Sequence, residues 1–384
     1  MVIVLLEISS YMKRSLTLLA SNRYHHWCLL LFCFASVPTF FSCSDQGNNI
    51  FMSGAKTIKC KEPMSTELIT PSSVLKSEGT VGMTGVFEIV DSVILITVKD
   101  SDYYLRALST DNGRIISHLA LLGRGPGEDS YFLRSRKRKD EGKQVVDMLG
   151  GQSKQLISFD AEESISQGKL IINEQTKLPP FTFNAYNLVD TVIANVYFDK
   201  DLISMKYYPK ERPDSCTRVL CYLGSGDYLT GLQPLFNSMQ RLRPDGHKMA
   251  LAMTFFDKIN VLDIHGSNHF SITTAKQIEK DEDVVSRYSD KVKTEGLGKW
   301  RAYLDVATTD ECIYALHLCS DIDGEAPPSI QVFNWEGKWI KEYVINEPIS
   351  RMLIDDKGER VYGFCYPEEC IYVYDLTKNV DIKN

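Results

Sequence analysis

Histidine is scarce in this chain, seven in 384 residues, and its spacing does not form the usual zinc arrangements. His265 and His269 are four apart, but Gly266-Ser267-Asn268 between them reads as a loop and not as a helix face aiming two rings at one ion. His118, His247 and His317 stand singly. No Gly-x-Ser-x-Gly nucleophile elbow occurs, and Gly224-Ser225-Gly226 reads as a turn. No glycine-rich loop ends in the Gly-Lys-Ser/Thr of a P-loop. Acid pairs for a glycosidase or lyase cannot be picked out without geometry. No catalytic residue, metal ligand set or cofactor is therefore expected. Positive charge is also in short supply. The formal net charge is −7, which disfavours nucleic acid as a partner, and none is expected. The one basic cluster, Arg134-Ser135-Arg136-Lys137-Arg138-Lys139, runs straight into Asp140 and Glu141. It reads as a solvated turn or strand edge; the other reading is a patch for an anionic ligand or a lipid surface. Long amphipathic helical stretches and glycine-serine linkers are nearly absent.

The longest apolar run, Trp27 to Phe41, is short of the roughly 20 residues that a membrane-spanning helix needs. Lys13, Arg14 and Arg23 precede it and Phe40-Phe41-Ser42-Cys43 closes it, which is the form of a secretory signal. Cysteine at the first mature position points to a bacterial lipoprotein acylated on Cys43, although Phe40 stands where such signals usually carry leucine. Met12-Lys13-Arg14 makes a more natural start than Met1. Residues 1–42 are thus assigned to the signal, 43–63 to a tether and 64–384 to the folded domain. Cleavage removes three basic residues and Glu7, so the net charge of −7 becomes about −9.

With 19 tyrosines, 17 phenylalanines and many Val/Ile runs, the remaining chain favours β structure. Tyr103 to Ser109 and Arg114 to Leu122 flank Thr110-Asp111-Asn112-Gly113, a hairpin signal of the type I′ kind. Further strand pairs surround Gly150-Gly151, Phe198-Asp199-Lys200-Asp201, Arg243-Pro244-Asp245-Gly246, Glu336-Gly337-Lys338 and Asp355-Asp356-Lys357-Gly358. A unit of two strands around an Asp-rich turn, then an aromatic-rich strand, recurs at Leu242 to Ile264 and Ser350 to Leu376. That is the scale of propeller blades, each a four-stranded antiparallel sheet. Six blades divide the mature chain best, with Ala275 to Lys299 as a charged, helix-compatible insertion. Closure of the ring is expected from Thr57 to Cys60 or Glu67 to Thr70 joining the Cys370 to Leu376 blade, which removes an exposed edge.

The lipoprotein-like start, the loop Gly123-Arg124-Gly125-Pro126-Gly127-Glu128 and the closing Ile349 to Leu376 unit resemble the TolB-like six-bladed β-propeller lipoproteins of Bacteroidetes. Tyr131 and Phe132 follow the loop slightly later than the aromatic usual there. The resemblance implies an all-β six-bladed propeller outside the cytoplasm and little chemistry. The loop reads as a structural corner in which Arg124 and Glu128 pair, or as a rim where both meet a ligand. Asp321-Ile322-Asp323-Gly324-Glu325 reads as an exposed acidic turn and lacks most of a calcium loop. Cys365 and Cys370, separated by Tyr366-Pro367-Glu368-Glu369, are the candidate disulfide; the alternative is a buried reduced pair. The combined expectation is a lipid-anchored binding or scaffold module of the cell envelope for a protein, peptide or glycan partner. The alternatives are a hydrolase or lyase working on glycans or lactones at the channel mouth, and a structural subunit of an envelope complex.

Overall fold

A computed structural model describes residues 55–76, 85–98, 103–121, 123, 129, 131–188, 190–199, 202–223, 236–274, 286, 301–318 and 328–377. Three short strands come first: β1 (Lys56–Lys59), β2 (Ser65–Leu68) and β3 (Ser73–Lys76). Blade I follows with β4 (Phe87–Val90), β5 (Val93–Thr97), β6 (Tyr103–Ser109) and β7 (Ile115–Leu121). Blade II holds β8 (Phe132–Asp140), β9 (Lys143–Gly150), β10 (Gln155–Asp160) and β11 (Ile171–Lys177). Blade III holds β12 (Thr182–Asn187), β13 (Thr191–Asp199), β14 (Leu202–Pro209) and β15 (Arg218–Leu223). Blade IV has β16 (Ser238–Leu242), β17 (Lys248–Met253), β18 (Ile259–Asp263) and β19 (Phe270–Thr273). Blade V has β20 (Tyr303–Thr308), β21 (Cys312–His317), β22 (Ser329–Asn334) and β23 (Trp339–Val344). Blade VI contributes β24 (Arg351–Ile354), β25 (Arg360–Cys365) and β26 (Cys370–Asp375), and takes β3 as its fourth strand. The result is the expected six-bladed propeller of four-stranded antiparallel sheets.

Closure differs from the expectation in its strand. The segment that pairs with β26 is β3, in the register Ile371 opposite Leu75 and Cys370 opposite Lys76. Thr57 to Cys60 and Glu67 to Thr70 lie on other blades: β1 runs parallel to β19 and β2 parallel to β23, each as a fifth strand. The N-terminal chain therefore straps the rims of blades IV and V before completing blade VI. Part of the stretch assigned to a tether, Lys56–Lys59, is inside this strap. Rim strands offer unpaired backbone groups, and short polar segments satisfy them without needing an apolar face of their own. β3 does bury one residue, Leu75.

Six clusters of buried apolar side chains fill the clefts between successive blades. Blades VI and I, for example, share Leu75, Phe87, Ile89, Tyr362, Phe364 and Ile371. Blades IV and V share Val261, Phe270, Tyr303, Phe333 and Trp335. Each sheet packs on both faces, so its central strands are apolar runs and not alternating ones. Val93-Ile94-Leu95-Ile96-Thr97 and Lys248 to Met253 are of this kind.

The turns carry two corrections of detail. In the β6–β7 hairpin only Gly113 adopts positive φ (+72°), with its N–H on Ser109 O, so the turn is not type I′. A Cβ there would also meet Lys76 O at 3.0 Å. The type I′ turn occurs at β8–β9, where Glu141 (φ 47°) and Gly142 (φ 83°) join Asp140 to Lys143. Among the described residues a short helix, α1 (Ala161–Gln167), joins β10 to β11; Asp160 caps it by accepting the Glu163 N–H, and Gly168 ends it in the left-handed region. The segment Ala275 to Lys299, expected as an insertion, lies outside the described residues apart from position 286.

Candidate functional site

The first strand of each blade lines the axis: β4, β8, β12, β16, β20 and β24 each stand at the inner end of their sheet. Consecutive members touch round the ring, with β12 and β16 joined by Asn184 Nδ2 donating to Gln240 Oε1. The basic cluster Arg134 to Lys139 is on one of these strands, β8, so the reading as a solvated turn or edge is corrected. Only Lys139 of its charged residues is exposed, and Arg136 is buried. Alternation along β8 sends Arg134, Arg136 and Arg138 to one side of the strand, and of the three Arg134 reaches the axis.

A small cavity at the axis is lined by Arg134, Ser135, Asn184, Tyr186, Gln240, Arg241, Asp305 and Arg351, contributed by five blades. Sharp local geometry aims several of them. The pairing register slips between Phe132 and Arg134, between Thr182 and Asn184, and between Tyr303 and Asp305. In each case one extra residue (Leu133, Phe183 or Leu304) is inserted immediately before the residue that lines the cavity. A β-bulge bends its strand and re-aims the following side chain, so three blades use the same device to point a polar group at the axis.

Two ion pairs organise the cluster. Arg241 Nη1 of blade IV donates to Glu88 Oε1 of blade I at 2.8 Å and to Ser135 O of blade II at 2.7 Å. It crosses the axis and closes the channel at that level. Ser135 Oγ donates to the same Glu88 oxygen at 2.8 Å. Arg351 Nε donates to Asp305 Oδ2 at 3.0 Å, which also accepts the Met352 N–H at 3.0 Å. Burial lowers the Arg241 guanidinium but Glu88 and Asp305 more than compensate, so it stays above its ordinary value. Arg134 differs. Burial first, then the charge of Arg351, bring its guanidinium down to about 10. Burial likewise lowers Arg136, with Asp147 opposing. Tyr186 is pushed up to about 12 by burial, against Arg241 and Arg134, and so remains a protonated phenol. With both axial carboxylates held by arginines, the arrangement offers donors for an anion and no free acid-base pair among the described residues.

The strand order places many connections on one face of the ring. Second and fourth strands of every blade end there, and the chain then returns to the next inner strand. On that face stand Tyr131 before β8, Phe181 before β12 and Tyr366 after β25, which are 42%, 64% and 50% exposed. Tyr131 lies over Gly151, where a Cβ would fall 2.0 Å from its ring. Asp129 fixes this corner by accepting the N–H groups of Tyr131, Gln152 and Ser153 and the Ser153 hydroxyl. Burial raises its carboxyl, but those hydrogen bonds prevail and hold it below the usual range.

Of the residues singled out from sequence, Arg124, Glu128, Cys43 and the Asp321 to Glu325 turn lie outside the described residues. His269 Nδ1 accepts the Asp263 N–H, and burial lowers its pKa. Cys365 and Cys370 are directly opposed across the β25–β26 hairpin, both buried and both free thiols in this structure. Glu368 adds a carboxylate, so three potential metal-ligating atoms lie within 4.8 Å of one another. Burial, then Cys365, push the Cys370 thiol up to about 11. Of the axial arginines Arg134 belongs to the basic run, while Arg241 and Arg351 stand alone in sequence; the bulge positions that mark an inner strand carry no sequence signal of their own.

No protein-family model matches the chain, and no curated protein does. Solved structures do. A member of the DUF4221 family from Bacteroides vulgatus superposes with a TM-score of 0.52 at 11% identity, covering 80% of this chain and 97% of that one. A candidate exported protein of Bacteroides fragilis gives 0.49 at 14% identity, over 80% and 88% of the two chains. The WD40 repeats of RRP9 give 0.45 at 12% identity, over 80% and 99%. At such identities the likeness is one of fold.

Proposed function

We propose that this protein is a lipid-anchored, extracytoplasmic binding module of the TolB-like propeller kind, which holds a protein, peptide or glycan partner on the loop-bearing face. The observation that carries this reading is the set of exposed aromatic rings there, Tyr131, Phe181 and Tyr366, spread over connections of blades VI, I, II and III. Aromatic rings bury much area at small entropic cost, which suits sugar rings and peptide side chains alike. The axis supports the same choice over an enzyme at the channel mouth: Arg241 bridges it, and Glu88 and Asp305 are both engaged by arginine. The anchor rests on the Ser42-Cys43 junction.

Retention of the purified protein on envelope-derived protein fractions and on an immobilised glycan panel tests the face. The combined variant Tyr131→Ala, Phe181→Ala, Tyr366→Ala should lose retention with its melting temperature unchanged. Retention equal to that of the parent overturns the assignment. For the anchor, radiolabelled fatty acid should enter the parent and not Cys43→Ala; equal labelling of both excludes Cys43 as the acylated residue.

A further inference from the structure

The charges at the axis do not balance. Arg134, Arg241 and Arg351 face Glu88 and Asp305, three positive against two negative, a surplus of one. Asp147, the next carboxylate along β9, is held by Arg138 Nε at 3.1 Å and by Ser158 Oγ at 2.6 Å. Arg134 has no carboxylate partner among the described residues; its Nη2 donates to Met239 Sδ at 3.2 Å, a weak acceptor. Arg136 lies opposite Asp147 in the strand register and is answered by its charge, and its Nη1 donates to Asn187 O at 3.3 Å. Arginine does not shed its proton at neutral pH, so this charge is not relieved by titration. An unpaired buried charge is strongly unfavourable, and something of opposite sign must answer it.

The cavity supplies the place and the size. Its volume is ≈ 10 Å³, room for a single water-sized occupant. Tyr186 is only 3% exposed, and its hydroxyl accepts from Asn184 Nδ2 at 2.9 Å while its own hydrogen has no acceptor among the described residues. Arg134 and Arg351 line the same cavity. The one carboxylate in the lining, Asp305, has its oxygens taken by Arg351 Nε and by the N–H groups of Met352 and Val306. The donors therefore outnumber the acceptors.

We propose that the axial cavity binds a monatomic anion, chloride under physiological conditions, held by Arg134, Arg351 and the Tyr186 hydroxyl. A space of this size suits a monatomic ion better than carboxylates, sulfate or phosphate, each of which carries several heavy atoms. The bound ion would tie blades II, III and VI together at the axis, so its role is to stabilise the ring. This site is separate from the partner face described above, and either assignment can fail without the other.

The test is thermal unfolding of the detergent-solubilised full chain at fixed ionic strength, exchanging sodium gluconate for sodium chloride or bromide. Chloride and bromide should raise the melting temperature by roughly 2–5 °C over gluconate, by mass action on the folded state. Arg134→Met removes the surplus charge and should abolish the difference. Should that variant fail to fold, Tyr186→Phe keeps the ring and removes one donor, and should raise the half-saturating chloride concentration by about tenfold. In bromide-soaked crystals an anomalous peak should lie within hydrogen-bonding reach of Arg134. Equal melting in gluconate and chloride, a halide effect that persists in Arg134→Met or is unchanged in Tyr186→Phe, or no anomalous peak at the axis each overturns the proposal.

Discussion

Replacing Leu75 by alanine tests how the ring is closed. Leu75 is 3% exposed on β3, the one N-terminal strand that completes blade VI. It packs in the cleft between Tyr362, Phe364 and Ile371 of blade VI and Phe87 and Ile89 of blade I. Removing a buried leucine from such a site costs about 2–5 kcal/mol, from lost burial and the cavity left behind. The upper half applies here, because a short edge strand with a single buried residue has no second anchor. Val74, the neighbour on the same strand, is 44% exposed and faces outward. Val74→Ala should change stability by no more than about 0.5 kcal/mol. Ile371 is directly opposite Leu75 in the strand register. A double-mutant cycle of Leu75→Ala with Ile371→Ala should therefore give a coupling of about 0.5–3 kcal/mol. Equilibrium unfolding in urea, with the slope against denaturant checked for constancy, reads all three values. Equal effects of Leu75→Ala and Val74→Ala, or a vanishing coupling, would show that β3 does not seal the ring.

Two further outcomes follow from the helix cap and from the opposed thiols. The N–H of Glu163, then Lys143 against the effect of burial, hold the Asp160 carboxyl below the usual range. A depressed folded pKa contributes stability that is present above the unfolded value and is lost as pH falls through the folded one. Asp160→Ala should thus cost about 1 kcal/mol at pH 7, with the difference from the parent shrinking in acid; a constant difference from pH 7 to 2 refutes the cap. Cys365 and Cys370 should form a disulfide under oxidising conditions, since they are cross-strand partners at a four-residue loop. With the Cys370 thiol up at about 11, uncatalysed oxidation should accelerate as pH rises. Peptide mapping without reductant reads the bridge, and recovery of both peptides alkylated, with no linked species, excludes it.

Strand and turn periodicity alone determined the architecture of this protein. Gly246, Gly337 and Gly358, in the turns Arg243 to Gly246, Glu336 to Lys338 and Asp355 to Gly358, take positive φ where few other residues are at ease, so the reversals are written locally. Continuous apolar runs such as Val93 to Thr97 marked strands packed on both faces. Strand, turn and repeat length together gave six blades, because each of those signals acts within a few dozen residues. Closure was readable in kind and not in place. β1, β2 and β3 are four residues each and mostly polar, and their partners, β19, β23 and β26, exist as edges only once the blades have folded. The axial site was hidden for a related reason. Arg134 to Lys139 has the composition of a solvated strand, and nothing local distinguishes the innermost strand of a blade from its rim. What buries Arg134, Arg136 and Arg241 is the meeting of five blades, which sets groups more than a hundred residues apart, such as Glu88 and Arg241, within 2.8 Å. Charge placed there is decided by the ring as a whole, since only the closed ring removes the water that would otherwise answer it.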